Sequence, residues 1–378
     1  MRIYLDHNAT TPVRPEVADA MHAVLREEYG NPSSVYAEGA TTRAKIEAAR
    51  AEVAALLGVE PAEVRFTGGA TEANNTVLFG LVAPGDHVVT SQVEHPSVAA
   101  PLALLEERGT KVDWIAPDDT GCVVAADLIA ALREETKLVS LIWANNETGS
   151  LQPVAEVAAA CRDRGILLHV DATQAIGKAE VDLSKVPADL LSLSAHKLGG
   201  PKGSGALIIR RGLNVPSYLV GGGQERGLRG GTENVAGIVG LGRACALARE
   251  ELSGRLEQYG RLRDRLWDGI SKGVEGVRWN GDPERVLRNT LNVEFAGIAG
   301  EVLLQALDLE GVALSAGAAC HSGSIEPSAV LTAMGRTPEQ ARASLRLSVG
   351  WGMDEAQIDR AIALLTEYVP RVRAVEAP

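Results

Sequence analysis

Residues Leu190-Leu191-Ser192-Leu193-Ser194-Ala195-His196-Lys197-Leu198-Gly199-Gly200-Pro201-Lys202-Gly203 read as a buried strand that runs straight into a serine, a histidine, a lysine and a glycine loop. A short apolar run bounded by turn residues marks a strand inside a covered sheet. Five more such runs lie upstream: Val64-Arg65-Phe66, Val88-Val89-Thr90, Val112-Asp113-Trp114-Ile115, Leu138-Val139-Ser140-Leu141-Ile142 and Ile166-Leu167-Leu168-His169-Val170. Helical stretches separate them. The one from Ala155 to Arg164 has an apolar face at Val157, Ala158 and Cys161 and stops at Gly165, a C-terminal cap. Such alternation predicts an α/β domain built on a large, mainly parallel sheet.

From Asn234 to about Lys272 the pattern is one long helix, with apolar residues at Leu241, Ala244, Leu247, Ala248, Leu252, Leu256 and Leu262. The run Asn289-Thr290-Leu291-Asn292-Val293-Glu294-Phe295, a helix from Gly300, the run Ser344-Leu345-Arg346-Leu347-Ser348-Val349 and a final helix describe a smaller α+β unit. The expected division is a large domain over 14–259 and a small one made of 1–13 and 260–378. The turn-rich segment from about 10 to 40 is expected to wrap onto the smaller unit.

With 378 residues, 46% of them hydrophobic, the chain is long enough for two domains. A formal charge of -12 argues against a general nucleic-acid or anionic-membrane binder, since both need a basic face. No stretch has signal-peptide character or the length of a membrane span, so a cytoplasmic protein is expected. Cysteines at 122, 161, 245 and 320 form no C-x-x-C pair, which fits a reducing compartment.

In a parallel sheet the ligand crevice lies at the C-terminal ends of the strands. Asp171 follows the fifth run directly and Gln174 stands three residues on, while Lys197 follows the sixth with Ser194 and His196 beside it. A lone lysine after a strand is more often solvated. Here the glycines after it permit close backbone approach. Upstream, Thr67-Gly68-Gly69-Ala70-Thr71-Glu72 turns a strand into a helix, where N–H groups attract an anion and Thr71 adds a hydroxyl. Alone that turn is a weak signal, and it lacks the form of a nucleotide P-loop. Gly237-Ile238-Val239-Gly240-Leu241-Gly242 falls inside a helix, so a dinucleotide fold is poorly supported. Glu94-His95-Pro96 brings an imidazole to another strand end, and Asn145-Asn146-Glu147-Thr148-Gly149 brings amides to a fourth. A lysine to form an imine, a carboxylate to keep a pyridine nitrogen protonated and donors for a phosphate are together what pyridoxal 5′-phosphate needs.

The motifs Tyr4-Leu5-Asp6-His7-Asn8-Ala9-Thr10-Thr11-Pro12, Gly30-Asn31-Pro32-Ser33-Ser34, Gly69-Ala70-Thr71-Glu72-Ala73-Asn74-Asn75, Asn145-Asn146-Glu147-Thr148-Gly149, His169-Val170-Asp171-Ala172-Thr173-Gln174, Ser194-Ala195-His196-Lys197 and Arg229-Gly230-Gly231-Thr232-Glu233-Asn234 resemble those of the NifS/IscS-type cysteine desulfurases. That resemblance runs over nearly the whole chain. It implies the type I, aspartate-aminotransferase-like fold of PLP-dependent transferases, acting as a homodimer. It further implies that Lys197 forms the Schiff base, Asp171 pairs with the ring nitrogen, Gln174 bonds the ring oxygen and His95 stacks on the ring as an acid/base group. Ala70, Thr71, Ser194 and His196 would bind the phosphate, with Thr232 supplied by the partner subunit. Asn146 and Arg346 would hold the substrate, Arg346 gripping a carboxylate with its planar fork. From the residues alone, Arg346 also fits a solvated strand position.

Cys161 and Cys245 stand at helical apolar positions, as small buried hydrophobes do. Cys320 lies instead among small, polar and glycine residues, in Ser315-Ala316-Gly317-Ala318-Ala319-Cys320-His321-Ser322-Gly323-Ser324-Ile325-Glu326-Pro327-Ser328, so an exposed thiol on a mobile loop is expected. The resemblance places the family's catalytic cysteine here and implies L-cysteine as substrate, alanine as product and a persulfide on Cys320. That sulfur would pass to an acceptor protein for iron-sulfur cluster or thio-cofactor assembly, with transient cluster ligation by Cys320 and no resident metal. The short tail after the last helix leads us to expect a docking mode other than that of housekeeping members. A selenocysteine lyase, another PLP lyase or aminotransferase, and a non-catalytic sulfur-transfer scaffold are the alternatives.

Overall fold

The computed structural model describes residues 2–316 and 327–376, so Cys320 and His321 lie outside the described residues. The chain opens with β1 (Ile3–Tyr4), α1 (Pro15–Glu27) and α2 (Ala37–Leu57). Strands and helices then alternate through β2 (Val64–Thr67), α3 (Ala70–Leu81), β3 (His87–Ser91), α4 (Pro96–Glu107), β4 (Lys111–Ile115), α5 (Ala125–Ala130), β5 (Thr136–Ile142), α6 (Val154–Arg164) and β6 (Leu167–Asp171). After β7 (Leu190–Ser194) and β8 (Gly205–Ile209) comes α7 (Val235–Gly273). The remainder holds β9 (Val277–Trp279), β10 (Thr290–Phe295), α8 (Gly300–Leu309), β11 (Val312–Ala313), α9 (Ala329–Ala333), α10 (Pro338–Arg342), β12 (Ser344–Ser348) and α11 (Glu355–Glu376).

Seven strands form the large sheet in the order β2-β8-β7-β6-β5-β3-β4. All six strands expected from the sequence are present, and the seventh, β8, is the one the sequence analysis did not single out. It runs antiparallel to both neighbours, β2 and β7. Because β8 reverses direction between them, the C-terminal ends of β2, β3, β5, β6 and β7 all reach the same edge. Helices cover both faces, as the alternation of β8 shows: Ala206 and Ile208 pack on one side of the sheet, Leu207 and Ile209 on the other.

Gly205 is what lets β8 close on the turn before α3. A Cβ there would lie 2.7 Å from the Gly69 Cα and 2.5 Å from the Leu193 carbonyl oxygen, both backbone atoms that cannot swing aside. Gly205→Val is therefore expected to lower stability by about 1–3 kcal/mol through overpacking, read as a lower denaturant midpoint. An unchanged midpoint would show that the strand accommodates the side chain.

A second core gathers Ile3, Leu5, Leu291, Val293, Phe295, Leu345, Leu347 and the inner face of α11. Its sheet is antiparallel, with order β12-β10-β9. Helix α7, expected as one long helix, reaches both cores: Leu241, Ala244 and Ala248 pack in the first, Leu262, Leu266 and Ile270 in the second. The 10–40 segment differs from expectation. Val17 of α1 and Ile46 of α2 belong to the large core, because both helices lie along the N-terminal half of α7. At Gly242 the approach is close enough that a Cβ would sit 2.6 Å from the Ala49 Cα.

Candidate active site

A cavity of about 690 Å³ opens at the C-terminal edge of the large sheet. Ala70, Thr71, His95, Asn146, Asp171, Gln174, Ser194, His196 and Lys197 all line it. Nine of the expected site residues thus meet in one place. They come from the C-terminal ends of five strands and the segments that follow them, because the sheet aligns those strand ends.

Lys197 closes a single 3-10 turn, Ala195–Lys197, that follows β7 directly. Its Nζ donates to the carbonyl oxygens of Asn8, at 2.5 Å, and Ala9, at 2.9 Å. Asp171, only 2% exposed, accepts from Asn74 Nδ2 at 2.8 Å and from the Thr173 N–H at 3.0 Å. Two residues before it on the same strand, and so on the same face, His169 is wedged between Ser140 Oγ and Ser192 Oγ. Burial lowers this imidazole to about 4, against the pull of Asp171, so at neutral pH it presents no cation beneath the carboxylate.

His95 caps α4: its Nδ1 accepts the Ser97 N–H at 3.1 Å. Burial holds the imidazole below its ordinary pKa despite Asp171 nearby, so the neutral ring carries its proton on Nε2. Asn74 links this group to the carboxylate, since its Nδ2 also donates to Ser97 Oγ at 2.8 Å. Glu94 ties the same turn to β5 by accepting from Ser91 Oγ and the Ile142 N–H. Its buried carboxyl is pushed up to about 8, chiefly by desolvation.

Gly69, with φ +151°, turns β2 into α3 and leaves the first-turn N–H groups at Ala70 and Thr71 facing the cavity end without helical acceptors. His196 lies opposite, its Nδ1 3.1 Å from Thr10 Oγ1 and its pKa lowered to about 4, first by burial and then by Lys197 and other cations. Thr173 also lines the cavity, and its buried hydroxyl has no protein partner. An amine, a buried carboxylate, a helix N-terminus with hydroxyls and an unsatisfied polar group make a donor set that fits pyridoxal 5′-phosphate.

Two expected residues stand apart from the cavity lining. Arg346 on β12 is 2% exposed, which overturns its reading as a solvated strand residue. It donates to the Asn146 carbonyl at 2.8 Å and to Asp6 Oδ1 at 2.6 Å, and its buried Nε has no partner. Thr232 is exposed and borders a separate groove with Arg229 and Glu233. Sequence reasoning assigned no role to Asn8, Asn74 or Lys178. Asn8 and Asn74 sit inside quoted motifs, whereas Lys178, in the turns after Gln174, carries no local signal in the sequence.

The family model described as aminotransferase class-V matches residues 3–361. The cysteine desulfurase IscS of Methanosarcina thermophila is 43% identical over 98% of this chain and 93% of its own length. A solved NifS-like protein is 37% identical, with a TM-score of 0.92 over 98% of this chain and all of its own. A structure of SspA in complex with cysteine is 32% identical, with a TM-score of 0.82 over 92% of this chain and 98% of its own. Motifs, fold and site geometry agree with these likenesses: the chain belongs to the aminotransferase class-V family, on the branch of the IscS- and NifS-like cysteine desulfurases.

Proposed function

We propose that this chain is a PLP-dependent cysteine desulfurase, converting L-cysteine to L-alanine and carrying the sulfur as a persulfide on Cys320. The observation that carries this reading is the convergence of Lys197, Asp171, His95 and the Ala70–Thr71 helix start on one cavity. Bound there, pyridoxal phosphate supplies an electron sink for the substrate α-carbon. Lys197 would hold it covalently, Asp171 would keep its ring nitrogen protonated, and Gln174 would bond its ring oxygen. Ala70, Thr71, Ser194 and His196 would hold the phosphate.

Lys197 Nζ would take the substrate α-proton, and neutral His95 would exchange a proton at Nε2. Asn146 and Arg346 orient the substrate carboxylate. The Cys320 thiolate forms an S–S bond to the substrate sulfur as the substrate C–S bond breaks. That bond's electron pair stays on the β-carbon, which is then protonated, and return of the proton to the α-carbon completes alanine.

The other cysteines support the choice of Cys320. Cys122, Cys161 and Cys245 are buried. Burial raises the Cys122 thiol and pushes Cys161 and Cys245 up to about 12, so none offers a thiolate at neutral pH. The test is peptide mapping after incubation with L-cysteine. A persulfide on the Cys320 peptide, with alanine in equal amount, is the expected result. A persulfide confined to another cysteine, or sulfide released with pyruvate, would sink the mechanism.

The working unit in this reading is a homodimer, with Thr232 of the partner subunit completing the phosphate site. The exposure of Thr232 away from its own cavity supports this, as do exposed Tyr29, Val35, Tyr36 and Val220. The sulfur acceptor is a protein of iron-sulfur cluster or thio-cofactor assembly, and the setting is the cytoplasm. Among the described residues no helix is long and apolar enough to cross a membrane.

A further inference from the structure

We propose that Lys178 is a positioning residue that holds the Gln174 amide so that one of its N–H groups faces the cavity as a donor. This inference rests on the cofactor reading above and concerns how Gln174 meets the cofactor ring oxygen.

Lys178 is 4% exposed and reaches two acceptors: Gln174 Oε1 at 2.7 Å and Asn8 Oδ1 at 3.2 Å. Among the described residues no carboxylate pairs with it. The charged and titratable groups facing it are Lys197, Arg346, His7 and His196. Burial and the first two of these cations push its pKa well below the ordinary lysine range. In either protonation state the amine carries at least two N–H groups, and the two amide oxygens accept two of them.

Asn8 fixes the polarity of the whole set. Its backbone carbonyl, which can only accept, receives Gln174 Nε2 at 2.8 Å and Lys197 Nζ. Its side-chain Nδ2 donates to Thr290 Oγ1, which leaves Oδ1 for Lys178 and for Asn289 Nδ2 at 3.0 Å. Gln174 must therefore turn Oε1 toward Lys178 and Nε2 toward Asn8. An amide nitrogen carries two hydrogens. One is taken by Asn8, and the other belongs to the cavity that Gln174 lines.

A donor on the ring oxygen stabilises its negative charge and loosens its hold on the proton shared with the lysine nitrogen. Losing that donor raises the pH midpoint at which the bound cofactor's visible band titrates. Lys178→Met removes one of the two tethers of Gln174, and the expected upward shift is about one pH unit, a tenfold change. Lys178→Gln, which keeps a donor on a shorter chain, is expected to shift the midpoint by less than half as much.

The experiment titrates the visible band of the holoenzyme in wild type, Lys178→Met, Lys178→Gln, Gln174→Leu and the double variant Lys178→Met/Gln174→Leu. If Lys178 acts through Gln174, the double variant has the midpoint of Gln174→Leu alone. Equal shifts in both backgrounds, or a midpoint unmoved by loss of Lys178, would overturn the inference and leave the cofactor reading intact. Should Lys178→Met fail to fold, Lys178→Gln in the two backgrounds carries the same comparison. A wild-type protein with no visible band after incubation with pyridoxal phosphate overturns the cofactor reading, and this inference falls with it.

Discussion

Lys197→Ala is expected to purify without a visible absorption band and to turn over L-cysteine at least about 10⁴-fold more slowly than wild type. The loss is large because one side chain would perform two tasks, holding the cofactor and moving the α-proton. Two other amines are near, and neither replaces it. Lys202 lies on the cavity wall beyond the glycine loop, and Lys178 is spent on Gln174 and Asn8. The fold should tolerate the change. Truncation deprives the Asn8 and Ala9 carbonyls of one donor each, but Asn8 still accepts from Gln174, so stability should change by only about 1 kcal/mol. Absorbance, product assay and thermal melt read the three effects separately. A folded Lys197→Ala protein that still made alanine at an appreciable rate would mean that the lysine after β7 is not the reacting amine.

Asp171→Asn is the second large effect: turnover is expected to fall by on the order of 10²–10³-fold while the protein stays folded and still acquires colour. The substitution keeps the shape of the side chain and removes its charge. Asp171 is buried, its oxygens accept from Asn74 and the Thr173 N–H, and His169 below it is neutral. Its carboxylate is thus the negative charge aimed from the end of β6 at the ligand, in a setting where a charge acts strongly. An amide cannot keep a ring nitrogen protonated. Kinetics with added pyridoxal phosphate separates weak binding from a failed electron sink. Activity restored to wild type by excess cofactor would reduce Asp171 to a binding group.

The difference between these two residues and Lys178 shows how far sequence reading reaches. Lys197 and Asp171 could be singled out because each follows an apolar run directly, and a parallel sheet carries the ends of its strands to one edge. The same logic located His95, Asn146 and the Gly69 turn, and the period of about 3.6 revealed α7 as one helix. By contrast β8 was not singled out, since a short run after a glycine loop does not announce that it will pair antiparallel between two strands distant in sequence. Nor does anything local to Val17 say that α1 will lie on the large core.

Local pattern, then, determined which segments become strands and helices and which strand ends carry reactive groups, because periodicity and turn chemistry act over a few residues. Tertiary structure alone decided the partnerships across the chain. Lys178 meets an asparagine 170 positions away, Arg346 meets Asp6 across 340, and Asp171 receives Asn74 across 97. Such pairs have no periodic signature. They form because packing two cores against one long helix buries polar groups that must then find partners, and only the folded geometry determines which ones are within reach.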